Sequence, residues 1–438
     1  MRNLWRKLWN DKRGNALVIA GAALPLVVGS AGLATDTIQW TLWKRQLQRA
    51  ADSAAMAGVY ATVAGQNNGA VCGDLLNNKI KWSDTCTGTA PTDPVITLKA
   101  GYPIETHPAD TADWDHATRV ELAVQRNLAF SSMFTTAPTI TATATAAIAD
   151  SGKYCVISLE NTSTTGIVDS GNATVDLGCG MITNSTSLNA AIATGSAIVK
   201  ANPVAAVGGI QNAKQWGSST LLPFTVAQAD PFSSVKIDTT LPTPCSNDPK
   251  INPNKPTEEL SPGCYKGLTI NGAAKLKAGT YYIDGGDIDL GANAVIDGSA
   301  GVTLVLTNYS TAASPTIGNL KMNGSAQINL VAPNTGCSLG NAGCFDGIAI
   351  YQDRRATDDG SSSNSPNLIN GNSSSFFKGA FYFPNQQVGF NGNGGLSTDC
   401  FQLVSRRVDF KGNMKIKNDC KSTDPYQPFT GRHVRLVA

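Results

Sequence analysis

Three histidines, His107, His116 and His433, are the only imidazoles in a chain of 438 residues. None has a serine or cysteine beside it in a nucleophile-elbow context, and no HExxH, P-loop or GxGxxG after a strand occurs. They read as ordinary loop or strand residues. Two acidic clusters remain. Asp284, Asp287 and Asp289 (DGGDID) sit beside a glycine turn and offer the hard oxygen ligands that calcium takes. Strand alternation sends Asp287 and Asp289 to one face and leaves Asp284 before the turn, so a solvated turn is expected. Asp353, Arg354, Arg355, Asp358 and Asp359, in YQDRRATDDG, are the types a polysaccharide-degrading enzyme sets on one face. Glycoside hydrolysis needs two carboxylates at a defined separation. Adjacent Asp358 and Asp359, in what reads as a long hydrophilic loop, would not hold it. No catalytic residue, cofactor site or metal site is expected.

Ten cysteines fall into neighbouring couples: Cys72 and Cys86, Cys155 and Cys179, Cys245 and Cys264, Cys337 and Cys344, Cys400 and Cys420. Without CxxC spacing or nearby histidines they do not read as thiolate ligands. An even count beyond an apolar N-terminal segment fits disulfides made in an oxidising compartment. Short loop closure suggests pairing within each couple, although spacing alone does not fix connectivity.

The elements that carry these residues begin with that apolar segment. Gly14 to Thr35 holds 22 residues without a charge, between Arg13 and Asp36. As a helix it covers roughly 30 Å, enough to cross a bilayer. Its anchor residues are Asn15, Leu17, Val18, Ile19, Leu24, Pro25, Leu26, Val27, Val28 and Leu33, with a kink conceivable at Pro25. Arg2, Arg6, Lys7, Lys12 and Arg13 crowd the N-terminal side, so the positive-inside rule leaves that end in the cytoplasm and the rest outside. Gly32-Leu33-Ala34 would pass as a signal-peptidase site. The run exceeds the usual apolar core of a signal peptide, and the helical pattern continues beyond it, so a retained single-pass anchor is expected.

Beyond Asp36 the pattern stays helical to about Ala64. Leu42, Leu47, Ala50, Ala51, Ala54, Ala55 and Gly58 form a face of small residues, opposite Lys44, Arg45, Gln48, Arg49 and Asp52. Such a face either packs on the chain's own domain or brings a second subunit close. Residues 65–150 read as a small mixed α+β segment, with strand alternation in Asp93–Ala100, Ala117–Gln125 and Thr139–Ile148 and a helical turn in Asn127–Phe134. Residues 151–438 are a succession of short apolar strands separated by Asn-Gly, Asp-Gly and Gly-Asn turns. Those turns could close hairpins in an antiparallel β-sandwich. Their recurrence with small or apolar residues just after favours a right-handed parallel β-helix, with stacked asparagines at equivalent turns. The chain is thus expected to be mainly β, with residues 1–64 as the stub, membrane helix and extension.

Net charge is +2 and charged residues make up 15%, so no nucleic-acid partner is expected. The lipid bilayer is the partner the segment calls for. Arg13-Gly14-Asn15-Ala16-Leu17-Val18-Ile19, Leu24-Pro25, Gly32-Leu33-Ala34-Thr35-Asp36 and Leu47 through Ala55 together resemble the N-terminal region of TadE/TadG-like Flp (tight adherence) pilus-assembly proteins. The resemblance is TadG-like, and it implies a protein of the bacterial inner membrane whose partners are other Tad/Flp assembly proteins. Pilin-like members carry a glutamate at the fifth residue after the processing glycine, where this chain has Ile19. The resemblance therefore implies a permanent anchor rather than a processed, polymerising pilin. A surface adhesin or carbohydrate-binding β-helix on the same anchor is the alternative, and a polysaccharide-degrading β-helix enzyme a third.

Overall fold

A computed structural model of the chain describes residues 12–63, 69–78, 95–100, 115–133, 136–238, 245–312, 314–358, 365–371, 373–392 and 395–437. His107, Cys86 and Asp359 lie outside these. The chain is mainly β with one long apolar N-terminal helix, and it forms two compact units: residues 1–149 with 434–438, and residues 150–433.

In the first unit, helix α1 runs from Lys12 to Val63 and passes through Pro25 without interruption. Alanine, leucine and straight-chain residues dominate it, and these keep most of their rotamer freedom in a helix. A shorter helix, α2 (Gly69–Asn77), follows. Strands β1 (Val95–Ala100), β2 (Asp115–Gln125) and the first half of β3 (Thr139–Ser158) form an antiparallel meander, with Val95 opposite Ala123 and Glu121 opposite Thr143. A single 3₁₀ turn, Ser131–Met133, lies in the β2–β3 connection. Ala51, Ala54 and Ala55 are fully buried, and Gly58 faces Thr118 of β2 and Val71 of α2. The small-residue face is thus covered by the chain's own elements, which removes it as a contact for a second subunit. Leu42, assigned to that face from its spacing, is 58% exposed. It lies a turn short of the cover, which begins at Leu47.

Among the described residues of the second unit, the ladders formed by the strands from the second half of β3 to Lys415–Asp419 are parallel. One ladder runs Val204–Ala206, Gly180–Thr183, the second half of β3, Gly395–Phe410, Phe376–Asn391, Ile348–Gln352, Val302–Thr307, Gly279–Asp284, Gly263–Tyr265. Two further ladders follow the same order, one through Ile167, Val408, Val388 and Leu368, the other through Val175, Ile416, Leu396 and Phe377. The Asn-Gly turns do not close hairpins. Asn271-Gly272 separates strands of two different ladders, each paired in parallel to a later stretch of chain.

Side-chain alternation explains the burial. Strands such as Leu268–Ile270, Ile288–Leu290 and Leu320–Met322 point their first and third residues into a common aliphatic core and the middle residue outward. Leu268 stacks in register with Ile288, and Ile288 with Leu320. The first ladder is buried on both faces, as in Val302–Thr307 and Ile348–Gln352. Its outer face packs against a second apolar cluster that holds Phe232, Val235 and Phe345. The strands there read as continuous apolar runs for that reason.

At one corner the turns are held by glycine. Gly171, Gly195 and Gly412 all have φ between 68° and 80°, and a Cβ on Gly195 would lie 2.7 Å from the Gly171 carbonyl oxygen. The following residues link the turns: Ser196 N–H donates to Gly171 O, Asn172 N–H to Gly412 O and Asn413 N–H to Gly392 O, at 2.7–3.0 Å. Asparagine side chains pair at two separate places, Asn172 with Asn413 and Asn271 with Asn293. Among the described residues the continuous ladder is therefore one of glycines, with asparagine pairs beside it.

Candidate functional site

The apolar half of α1 is the most unusual surface of the chain. Val18, Ile19, Leu24, Leu26, Val27, Val28 and Leu33 are 51–75% exposed, and Pro25 is exposed among them. Asn15 and Leu17 lie on the same helix. Water does not tolerate a contiguous apolar patch of this length, and lipid does. α1 is the one helix among the described residues long and apolar enough to cross a membrane. Its polar side chains are matched to such a setting. Ser30 Oγ donates to Val27 O at 3.0 Å, Thr35 Oγ1 to Ala31 O at 2.9 Å and Thr37 Oγ1 to Leu33 O at 2.8 Å, so no hydroxyl is left without an acceptor.

The uncharged stretch ends at Asp36, which is only 2% exposed. Its carboxylate accepts from Phe130 N–H at 3.1 Å, from Ser131 N–H at 2.5 Å and from Ser131 Oγ at 2.6 Å. One turn earlier, Gly32 is covered by the Phe130 ring, and any Cβ there would collide with it. Further along, Lys44 Nζ reaches Thr141 O and Gln48 Nε2 donates to Thr143 O at 2.8 Å, fixing α1 along β3.

The acidic clusters that could have carried chemistry are occupied by the chain's own donors. Asp284 binds Lys266 Nζ at 2.5 Å and Tyr309 N–H at 2.8 Å, while Asp287 binds Lys321 Nζ and Asn319 N–H, both at 2.8 Å. Asp289 faces solvent. These acids serve separate ion pairs rather than converging on one point. Asp353 is held by Thr307 Oγ1 at 2.8 Å and by Arg355 at 2.7 Å. Burial pushes its carboxyl up, but Arg355 and Thr307 outweigh burial and keep it below the usual carboxylate range. Arg354 lies over the Tyr351 and Tyr382 rings, 5.8 and 5.2 Å from their centroids, and donates to Val235 O and the Tyr351 hydroxyl at 3.0 Å.

Asp358 departs from the sequence reading. It is not a free loop carboxylate but part of a four-membered charge cluster in which Glu160 and Arg407 are buried and Asp358 and Arg406 half-buried. Arg407 Nη1 donates to Asp358 at 2.7 Å and to Glu160 at 2.8 Å, and Arg406 Nε lies 3.1 Å from Glu160 and 2.9 Å from Asp358. Glu160 is fully buried. Burial raises its pKa, yet the Thr162 hydroxyl and the arginines hold it below the usual range. Two carboxylates and two guanidinium groups neutralise each other, leaving no base poised for proton transfer. Glu160 lies 247 residues from Arg407, so no local motif could have joined them.

A second feature that sequence reading missed is a pair of buried aspartates. Asp169 and Asp409 lie on adjacent parallel strands one register position apart, Asp409 opposite Val168 and Asp169 opposite Phe410, and are 0% and 1% exposed. Lys411 bonds Asp409, while neither Asp169 oxygen has a hydrogen-bond partner. Burial, reinforced by the Asp409 charge, pushes Asp169 up to about 8.

Four of the five cysteine couples meet within the described residues, and Cys86 of the fifth lies outside them. Cys155–Cys179, Cys245–Cys264, Cys337–Cys344 and Cys400–Cys420 are bonded, with Cα separations of 4.3–6.0 Å. Cys72 is buried on α2. Among the described residues two places gather three potential metal ligands, and neither offers them freely. At Cys337, Cys344 and Asp346 the thiols are joined and Asp346 accepts from the Thr335, Gly336 and Cys337 N–H groups. At Asp399, Cys400 and Asp424, Lys378 bridges both carboxylates.

Residues 14–64 match the family model of the TadE/G-like Flp pilus-assembly proteins. The match covers the apolar run and its alanine-faced continuation, and stops where α1 stops. No curated protein and no solved structure matches the chain.

Proposed function

We propose that the chain is a non-enzymatic, membrane-anchored structural component of a Flp-type pilus assembly system. One observation carries this reading: the residues that match the assembly family are those that form the exposed apolar helix and its packed extension. α1 is a single-pass anchor in the bacterial inner membrane. Its N-terminal side, with Arg2, Arg6, Lys7, Lys12 and Arg13, stays in the cytoplasm. The joined cysteine pairs of residues 150–433 support an oxidising compartment for that unit, on the other side of the membrane.

The three parallel ladders are the three faces of a right-handed parallel β-helix. The reading is supported by the common order of strands in all three ladders and by the in-register aliphatic stacks between them. This domain presents contacts to other pilus-assembly proteins. Satisfied acidic clusters support a binding role over catalysis. Among the described residues of the same unit the large apolar side chains left exposed are Leu188, Ile198, Phe224 and Val295, scattered along the chain rather than gathered as an aromatic strip for a sugar or surface ligand.

The test is extraction from the native membrane in mild detergent, followed by affinity capture of the full chain. Recovery of other Flp assembly proteins in stoichiometric amounts is the expected result. Capture of the chain alone, from cells that are assembling pili, would overturn the assembly reading.

A further inference from the structure

The first unit holds a cleft of about 610 Å³, between α1 and the β2–β3 connection, within the size range of small-molecule sites. Leu33, Trp40, Leu128, Ala137 and Pro138 supply its apolar walls, and Asp36 closes part of its floor. Among the described residues no lysine or arginine lines it, which disfavours a phosphate. Its position along α1 fixes what surrounds it. Leu33 belongs to the uncharged run and is 59% exposed, while Trp40, 41% exposed, stands two turns later, where an indole marks a membrane–water boundary.

The depth of the opposite wall follows from two contacts. The Phe130 ring covers Gly32, which lies four residues before Asp36 and so roughly 6 Å further into the apolar run. The Asp36 carboxylate takes the N–H groups of Phe130 and Ser131. The tip of the β2–β3 connection is therefore fastened to α1 at the level where the apolar run ends. Its donors are spent on Asp36, and its aromatic ring reaches the level of the hydrocarbon. The carboxylate's burial is offset by those N–H donors and by the Ser131 hydroxyl.

We propose that this cleft is a lipid site: the β2–β3 tip dips into the leaflet on the side of the C-terminal region, and a phospholipid acyl chain lies between Leu33, Trp40, Leu128 and Pro138. Continuity with the apolar face of α1 selects the occupant, because a chain resting on Leu33 in the bilayer passes directly into the cleft. The proposal rests on α1 being a membrane anchor.

The experiment reconstitutes the full chain into phosphatidylcholine vesicles doped with a phosphatidylcholine that carries a diazirine in its acyl chain. After illumination, adducts are mapped by peptide mass spectrometry. Adducts are expected on α1 residues 18–33 and on residues 128–131 and 137–139, and none on the β3 stretch 141–148. The Ala137→Trp variant, which fills the cleft, should lose the adducts at 128–131 while keeping those on 18–33. Adducts on 18–33 alone, or equal labelling of 141–148, would overturn the lipid site and leave the anchor standing. No adduct on 18–33 would overturn the anchor itself.

Discussion

At the scale of single residues, the chain spends its buried charges on holding its own strands together. Arg407 is 3% exposed and is shared between Glu160, Asp358 and Gln387. Replacing it with methionine keeps the bulk and leaves Glu160 buried with Arg406 as its one remaining cation. A loss of about 3 kcal/mol in denaturant unfolding is expected, the lower end of the cost of breaking a buried ion pair, because Arg406 still compensates part of the charge. The second substitution Glu160→Gln should recover a good part of it, and no recovery would mean that Arg407 acts by packing alone. Asp169 works in the opposite direction. Its folded pKa of about 8 lies above the unfolded value of 3.8, so the folded state holds the extra proton. Its contribution is fully present below about pH 4 and is lost as pH rises towards about 8. Asp409, also raised by burial and opposed by Lys411, adds to the same trend. Asp169→Asn should therefore raise stability at pH 8 by on the order of 2 kcal/mol and flatten its decline between pH 5 and 8. Thermal unfolding of both proteins across that range checks the sign. Nothing in VDSG or VDFKG marks either aspartate as buried. Single-residue roles of this kind depend on which strands become neighbours, and sequence periodicity does not carry that.

At the scale of elements, legibility depends on whether the determining contacts are local. The membrane helix could be read directly, because its signal is a run of adjacent residues, and the structure carries α1 through it from Lys12 to Val63. The strands Val95–Ala100 and Asp115–Gln125 were visible as alternation. The alanine face was visible as spacing, but spacing does not say what covers it. The cover comes from α2 and β2, with Gly58 set against Thr118 and Val71, and it stops short of Leu42. Ala54 is fully buried within this contact. Enlarging it by Ala54→Leu should push α1 away from its neighbours and cost about 1–3 kcal/mol or more, as overpacking does. Ala54→Ser should be tolerated much better. The reading fails if the leucine variant keeps wild-type protection of β2 amides in hydrogen exchange. β3 was read only to Ile148, whereas the strand runs to Ser158. Its alternation gives way at Thr145 to residues buried on both sides as far as Ala149, so the period that marks a half-exposed strand disappears.

At the scale of the whole chain, the second unit is tied together by its end rather than its middle. Sequence repeats suggest that each pass lies on the one before it, and most do: Leu268 on Ile288, Ile288 on Leu320. The strands Gly395–Phe410 and Lys415–Asp419 break this order. They pair on one side with Phe376–Asn391 and on the other with β3, Ile167–Asp169 and Thr174–Asp176. Leu403 meets Val156 across 247 residues, a closure that no local pattern announces. Among the described residues, the early strands 154–206 and the later strands 263–391 thus have no ladder joining them except through this last segment. Its ladder bonds join the two sides, and its rings pack on the later one. Phe401 packs on Phe381 at 4.9 Å between ring centroids, and Phe410 stacks on Phe390 at 5.2 Å. Phe401 is 2% exposed, so Phe401→Ala should cost about 3–5 kcal/mol. Because the bridge serves both sides, the loss should not stay local. Hydrogen exchange should report lower protection in 154–183 as well as in 376–391. The Cys400–Cys420 bond holds the segment's own turn and is left intact by this change. If only residues 395–420 lost protection while both flanking sets kept theirs, the segment would be an appendage rather than the clasp of the unit.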